Sequence, residues 1–345
     1  MTSFDILYMR RALELARLGR GFTAPNPLVG CVIVHEGRII GEGWHRQYGG
    51  PHAEVNALES VKEKHLLPES RLYVTLEPCS HYGKTPPCAD LLLENQIADV
   101  VICNTDPNPL VQGRGIRKLL EANCKVHVGL LEKEGLALNK YFFTFHQRKR
   151  PYITLKWAET ADGFIGRQDA VKCQISGELS RMLTHQWRSE QQAIMVGTRT
   201  AAVDNPQLNT RAWTGPDPLR IILDRQLSLP GNLKVFDQSQ PTLVYNVQKG
   251  EASPRLEWVK LAAEPDLLPA VLVDLHARNI QSVLVEGGAV LLNSFLQAGL
   301  RDEAHVFKCS RKLEAAGIPA PTLPLSQMQQ VSHLGADVLI TYKNV

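Results

Sequence analysis

Pro51-His52-Ala53-Glu54 and, after a helical segment and a strand, Pro78-Cys79-Ser80-His81-Tyr82-Gly83-Lys84-Thr85-Pro86-Pro87-Cys88 form the stretch from which the rest of the chain is read. One imidazole and two thiols, brought together, supply three ligands suited to a borderline-soft cation such as Zn2+. Three ligands leave the fourth tetrahedral position for water, as a catalytic site requires. Glu54 lies two residues beyond His52, within reach of that water without being a ligand. A helix from Ala53 to about Lys62 would place His52 and Glu54 at its N-terminus, where the helix dipole favours anionic character. Arg71-Leu72-Tyr73-Val74-Thr75 reads as a strand that releases the cysteine loop, and Cys88 opens a helix running to Asn95.

His-x-Glu followed by Pro-Cys and a second Cys is the pattern of zinc-dependent deaminases of nitrogen heterocycles. Here eight residues separate the cysteines instead of two. A structural zinc site, with His81 closing the shell as a fourth ligand, is the rival reading, and inert core cysteines are the blandest one. A closed shell would leave Glu54 without a task.

The 345 residues suffice for two domains. A formal net charge of +3, from 38 basic and 35 acidic residues, is too balanced for a nucleic-acid or membrane surface. No apolar run could span a bilayer, and the N-terminus lacks the apolar core of a signal peptide. Seven irregularly spaced cysteines argue against a disulfide framework. A cytoplasmic location is expected, and a homo-oligomer is the expected assembly.

Outward from the central stretch, Ser3 or Asp5 is expected to cap a helix through about Leu18, with Ile6, Met9, Leu13 and Ala16 on one face. Pro25-Asn26-Pro27 turns into the strand 28–34, and Arg38 begins its hairpin return. Strands at Val100–Cys103 and Lys125–Val128 flank a helix from Gly115 to Ala122. The alternation predicts a three-layer α/β/α sandwich over residues 1–146, with the metal site between two helix starts at one sheet edge. A helix from Glu132 to about Phe145 leads to a linker, 147–151, whose basic run is read as solvated.

Residues 152–345 alternate strands and helices again. Tyr152–Trp157, Ala193–Gly197, Leu219–Asp224, Leu243–Tyr245 and Ser282–Val285 are strands, Ser176 is expected to cap a helix reaching Ser189, and 266–277 is helical. Glu286-Gly287-Gly288 joins the last of these strands to a further helix. Two glycines there could admit a pyrophosphate to backbone N–H groups, although a tight turn would look the same.

Several segments together resemble the bifunctional riboflavin-biosynthesis deaminase/reductase family. They are Pro25-Asn26-Pro27-Leu28-Val29-Gly30, Gly50-Pro51-His52-Ala53-Glu54, the long loop from Pro78 to Cys88, and Asp106-Pro107-Asn108-Pro109 with Gly113-Arg114-Gly115 beyond it. The long cysteine spacing is the family's own pattern. The resemblance implies a cytidine-deaminase-like domain followed by a dihydrofolate-reductase-like α/β domain using NADPH. The first would deaminate a diaminopyrimidinone ribosylamino 5′-phosphate. The second would reduce its ribosyl group to ribityl, with hydride going to C1′ of the opened sugar.

On this reading His52, Cys79 and Cys88 hold zinc and Glu54 moves protons to the ring nitrogen and the departing ammonia. Asn26 faces the pyrimidinone edge, His81 and Lys84 meet the phosphorylated sugar, and Asp106 and Asn108 hold sugar hydroxyls. In the second domain Lys156, Lys172, Arg188, Leu208, Arg211 and Glu286 line the substrate. Glu159, Gln174, Thr200, Asp204, Gly287, Gly288 and Ala289 line NADPH. Arg225 follows the strand ending at Asp224 and would take the 2′-phosphate, with Arg199 the next candidate; a turn without a ligand is the alternative. The chain departs from the family at Thr160-Ala161, at Gln174-Ile175, where a tryptophan is usual, and over Lys308–Glu314.

Two other readings compete. One is a zinc deaminase of a nucleoside or RNA base with a non-catalytic second domain; aromatics at 6% of the chain give little for stacking RNA. The other is a zinc-stabilised binding module. Small phosphorylated pyrimidines, with neither nucleic acid nor membrane, are the expected partners.

Overall fold

Three strands explain the layering of the first unit, because their residues alternate between two cores. A computed structural model describes residues 2–80, 87–109 and 111–344. It divides into units Met1–Lys149 and Arg150–Val345. The first contains α1 (Ser3–Arg17), β1 (Gly30–His35), β2 (Arg38–Trp44), α2 (Ala53–Ser60), β3 (Arg71–Leu76) and α3 (Cys88–Glu94). Then come β4 (Asp99–Asn104), α4 (Arg114–Glu121), β5 (Lys125–Val128), α5 (Glu132–Leu138) and α6 (Lys140–Arg148). Cys31, Ile33, Leu72, Val74, Val100 and Ile102 pack against Ala57, Leu92 and Leu119 of α2, α3 and α4. The intervening Val32, Val34, Tyr73, Val101 and Cys103 pack against Met9, Ala12 and Leu13 of α1. A period of two along strands with helices on both faces is the three-layer arrangement.

The sheet order is β2-β1-β3-β4-β5, so β3, which releases the cysteine loop, is the middle strand. The site therefore lies at the end of the sheet's central strand rather than at an outer edge. Three local expectations also change. The α1 cap is Thr2, whose hydroxyl accepts from Asp5 N while the Asp5 carboxylate accepts from Thr2 N; Ser3 is already helical. The expected single helix over 132–145 is two, because Asn139 turns out of the helix and its amide exchanges hydrogen bonds of 2.8 and 2.9 Å with the backbone of Leu28. The basic run is not all solvated: α6 extends to Arg148, and Arg150 makes a bidentate pair with the buried carboxylate of Asp302.

The second unit contains β6 (Tyr152–Glu159), β7 (Phe164–Arg167), α7 (Glu178–Glu190), β8 (Ala193–Gly197), α8 (Thr198–Asp204), β9 (Leu219–Leu223) and β10 (Thr242–Asn246). It continues with β11 (Glu251–Ser253), β12 (Leu256–Lys260), α9 (Leu268–Ala277), β13 (Ser282–Val285), α10 (Ala289–Gln297) and β14 (Glu303–Cys309). It ends with β15 (Gly317–Pro319), β16 (Met328–Leu334) and β17 (Asp337–Lys343). Ten strands run in the order β11-β12-β10-β9-β8-β13-β6-β14-β17-β16. The seven from β12 to β14 are parallel, and antiparallel strands complete both edges. Phe295, Leu272 and Leu292 of α9 and α10 fill one face against Ile153, Met195 and Val283. The other face buries Ile194, Val196, Ile222 and Val244 against Ala201 of α8 and Leu208. Ser176 does not cap α7. Asp337, from β17, accepts from Gly177 N and the Ser180 hydroxyl, supplying the missing partner from far along the chain.

Candidate active sites

β3 ends at Leu76, and Glu77-Pro78 then delivers Cys79 opposite the first residues of α2 and α3. His52 precedes α2 as its N-cap residue with extended backbone, and its side chain does not cap the helix. Its ring turns instead to the two thiols. Nδ1 stands 3.3 Å from Cys88 Sγ and 3.6 Å from Cys79 Sγ. The three donor atoms lie within 4.8 Å of one another. Ordinary Zn–N and Zn–S bonds at tetrahedral angles set an N···S edge of about 3.6 Å, so the donors fit zinc in both chemistry and spacing. Cys88 N donates to Cys79 Sγ. The Cys88 thiol, and then the His52 ring, draw the Cys79 thiol well below its ordinary range, towards the thiolate form that ligates metal.

Glu54 is the second residue of α2 and is buried beside this group. Burial pushes its carboxyl up, with the His52 charge opposing. A cavity of about 210 Å3 opens over Glu54, His52 and Cys79, and Asn26, Asp106 and Asn108 form part of its wall. His45 Nδ1 faces Pro51 O at 3.0 Å, and Asn26 Nδ2 faces His45 Nε2 at 3.1 Å. A carbonyl accepts and an amide nitrogen donates, so His45 is neutral with its proton on Nδ1; burial, which lowers its pKa, agrees. This fixes the Asn26 amide with its oxygen available to a ring edge. Burial first, and Glu77 behind it, raises Asp106 to about 6. His81 and Lys84, expected at the sugar phosphate, lie outside the described residues.

The second unit has its own cavity of about 630 Å3 at the carboxyl ends of β8, β9 and β13. Thr200, Asp204, Arg225, Gly288 and Ala289 form part of its wall, and so do Arg199, Val171, Cys173 and Val290, of which only Arg199 was expected from the sequence. A Cβ placed on Gly288 would meet Thr200 Oγ1 at 3.0 Å, so the glycine keeps the backbone at the start of α10 open to the cavity. That backbone, with Arg225 and Arg199 nearby, suits the phosphates of a dinucleotide. Glu159, Gln174 and Gly287 are not among the wall residues. Glu159 accepts from the Trp157 indole and pairs with Lys308, and Gln174 is exposed.

Of the expected substrate residues, three converge. Arg188 holds Glu286 with two hydrogen bonds of 2.7 and 2.8 Å, and Lys156 Nζ stands 3.9 Å from the same carboxylate. Leu208 is buried in the core with φ of 55°, and Arg211 is exposed against Asn209. Lys172 is exposed and donates to Asp204 O. Glu77 escaped sequence analysis; the signal was a lone carboxylate closing the apolar run that ends at Leu76, directly before Pro78-Cys79.

Residues 2–104 match the family model for the cytidine and deoxycytidylate deaminase zinc-binding region, and residues 151–329 match the RibD C-terminal domain. The riboflavin biosynthesis protein RibD of Aquifex aeolicus is 39% identical, with 98% of each chain covered. That of Actinobacillus pleuropneumoniae is 40% identical, covering 99% of this chain and 96% of the relative. A crystal structure from Thermotoga maritima superposes with a TM-score of 0.88 at 37% identity, covering 99% of both chains. It is described as a diaminohydroxyphosphoribosylaminopyrimidine deaminase/5-amino-6-(5-phosphoribosylamino)uracil reductase.

Proposed function

The chain belongs to the RibD family of riboflavin-biosynthesis proteins, and from that premise we propose which of its residues perform the two reactions. The protein is a bifunctional enzyme of riboflavin biosynthesis, a zinc-dependent deaminase joined to an NADPH-dependent reductase. Its substrates are small phosphorylated pyrimidines. In our reading residues 1–146 deaminate the 2,5-diamino-6-ribosylamino-4(3H)-pyrimidinone 5′-phosphate. Residues 152–345 reduce the ribosyl group of the resulting uracil to ribityl. The observation that carries the deaminase assignment is the three-donor set with a buried, non-ligating carboxylate beside it.

Zinc, when held by His52, Cys79 and Cys88, supplies the Lewis acidity that lowers a water's pKa towards about 7. Glu54 would take one proton from the attacking water and pass it to the ring nitrogen, then take the second from the hydroxyl added to the ring carbon and pass it to the amino group, which leaves as ammonia as the C–N bond breaks and the carbonyl forms. The Asn26 amide oxygen, oriented through His45, accepts from the pyrimidinone edge, while Asp106 and Asn108 bind the sugar. In the reductase, NADPH supplies hydride to C1′ of the opened sugar. Thr200, Asp204 and the Gly288-Ala289 backbone orient the cofactor, and the Lys156–Glu286–Arg188 cluster holds the sugar phosphate end. The proposal also places the enzyme in the cytoplasm, where thiols stay reduced, as a homo-oligomer.

Incubation with the diaminopyrimidinone substrate, with and without NADPH, tests both halves. Ammonia release is expected without NADPH, and NADPH oxidation only once deaminated product is present. A zinc chelator is expected to abolish ammonia release yet spare NADPH oxidation on pre-deaminated substrate. Loss of both activities on chelation would overturn the division of labour.

Arg225 is proposed to bind the 2′-phosphate of NADPH. Asp224 beside it is committed to the turn, accepting from Ser228 N and Leu229 N, whereas Arg225 is on the cavity wall and spends one N–H on Pro265 O. Charge-assisted hydrogen bonds are worth about 1.5–3 kcal/mol, so Arg225→Ala is expected to shrink the NADPH-to-NADH preference about ten-fold or more. Michaelis constants for both cofactors decide it. An unchanged preference would move the assignment to Arg199.

A further inference from the structure

We propose that Glu77 is a positioning residue of the deaminase, fixing the distance between the zinc ligands and the loop that binds the sugar. This rests on the assignment of Asp106 and Asn108 to the substrate in the preceding subsection. Glu77 is 4% exposed, and among the described residues no cation pairs with it. Its carboxylate instead takes four backbone N–H groups. Oε2 accepts from Asp106 N at 3.2 Å and from Gly113 N at 3.0 Å. Oε1 accepts from Gly115 N at 3.0 Å and Ile116 N at 3.3 Å. One side chain thus ties the start of the 106–113 segment to its end and to the first turn of α4, which has no side-chain cap of its own.

Within the segment, Asn108 N donates to the Asp106 carboxylate, and Val111 N and Gln112 N donate to Asn108 O. The loop is thus bonded within itself, and Glu77 ties both of its ends to the chain that carries Cys79. Its anchor is two residues from Cys79, on the same outgoing chain. Gly115 packs so closely on that chain that a Cβ would fall 2.0 Å from Pro78 O. The ring must sit over Glu54 and the metal ligands, while Asp106 and Asn108 face the same cavity from this loop. Glu77 sets the span between the two. Remote contacts assist the chemistry only when that span matches the substrate, and misplacement of about 1 Å costs on the order of 10²-fold in rate.

Glu77→Gln tests this, because an amide offers an N–H2 where two backbone donors need an acceptor. Glu77→Asp, which keeps the charge and withdraws it by one methylene, is the second variant. Both are assayed in the full chain with the phosphorylated ribosylamino substrate and with the bare ring, 2,5,6-triamino-4(3H)-pyrimidinone. Expected are retained zinc, unchanged NADPH oxidation on pre-deaminated substrate, and a loss of about 10²-fold in kcat/KM on the full substrate. The bare ring should lose no more than about three-fold, since it makes no sugar contact. Asn108→Ala should also cost less in the Glu77→Gln background than in wild type, as residues acting through one loop are not additive. Zinc loss in both variants, equal losses on both substrates, or additive penalties would overturn the role. If Asn108→Ala in wild type fails to separate the two substrates, the sugar assignment fails first and Glu77 falls with it. If it separates them and neither Glu77 variant does, only Glu77 is wrong.

Discussion

Replacing Glu54 with Gln is expected to lower ammonia release by about 10²–10⁴-fold, the range of a positioned general acid–base. Bound zinc and NADPH oxidation on pre-deaminated substrate should be unaffected. Gln keeps the side chain's length and one acceptor oxygen, so the start of α2 has no reason to move. What it cannot do is carry a proton between water, ring nitrogen and ammonia. Glu54 is 3% exposed, beside the side chains of His52, Cys79 and Cys88. Burial outweighs the His52 charge and disfavours the ionised Glu54 carboxylate, so a neutral amide of the same shape there should not weaken the fold. Zinc content, the unfolding midpoint and the two activities are measured on one preparation. Ammonia release at the wild-type rate would remove Glu54 from the mechanism.

What could be read from the sequence divides along the range of the interactions concerned. The α/β/α layering of the first unit was legible because alternation along β1, β3 and β4 is local, and each strand carries apolar residues for both faces. The grouping of His52, Cys79 and Cys88 was legible because residue type and order encode it, even with an unusual spacing. The break at Asn139 was not, because its cause is the backbone of Leu28, 111 residues earlier. The α7 cap was misassigned for the same reason: Asp337, 160 residues beyond Gly177, does the work that a neighbouring Ser176 could have done. β16 and β17 escaped because they extend the sheet antiparallel at its edge, where largely exposed residues such as Met328 and Val331 blur the alternation. The reductase cavity was half legible. Arg225 and Gly288 follow strands and could be placed, whereas Val171 and Cys173 reach the wall from a stretch without regular structure.

Arg188→Met should destabilise the second unit by about 3–5 kcal/mol, the usual result of leaving one partner of a buried ion pair unpaired. Glu286 loses both hydrogen bonds to the guanidinium and keeps only Lys156 at 3.9 Å. The Arg188 bond to Asn209 O at 3.1 Å goes as well, loosening the segment that carries Leu208 and Arg211. Burial alone would raise the Glu286 carboxyl, but the Arg188 and Lys156 charges outweigh it and hold it at about 2, below its ordinary 4.5. A carboxyl depressed on folding contributes stability that is complete above pH 4.5 and is lost as the pH falls towards 2. Wild type should therefore lose stability over that interval. In Arg188→Met the loss should shrink, because much of the cationic field that depresses the carboxyl is gone. NADPH oxidation should fall steeply, and ammonia release, which depends on the other unit, should hold. Denaturation curves from pH 6 to 2, followed in both proteins, read the effect directly. An unchanged midpoint near neutrality would mean that Lys156 alone compensates Glu286, and any kinetic loss would then belong to substrate binding rather than to the stability of the buried triad.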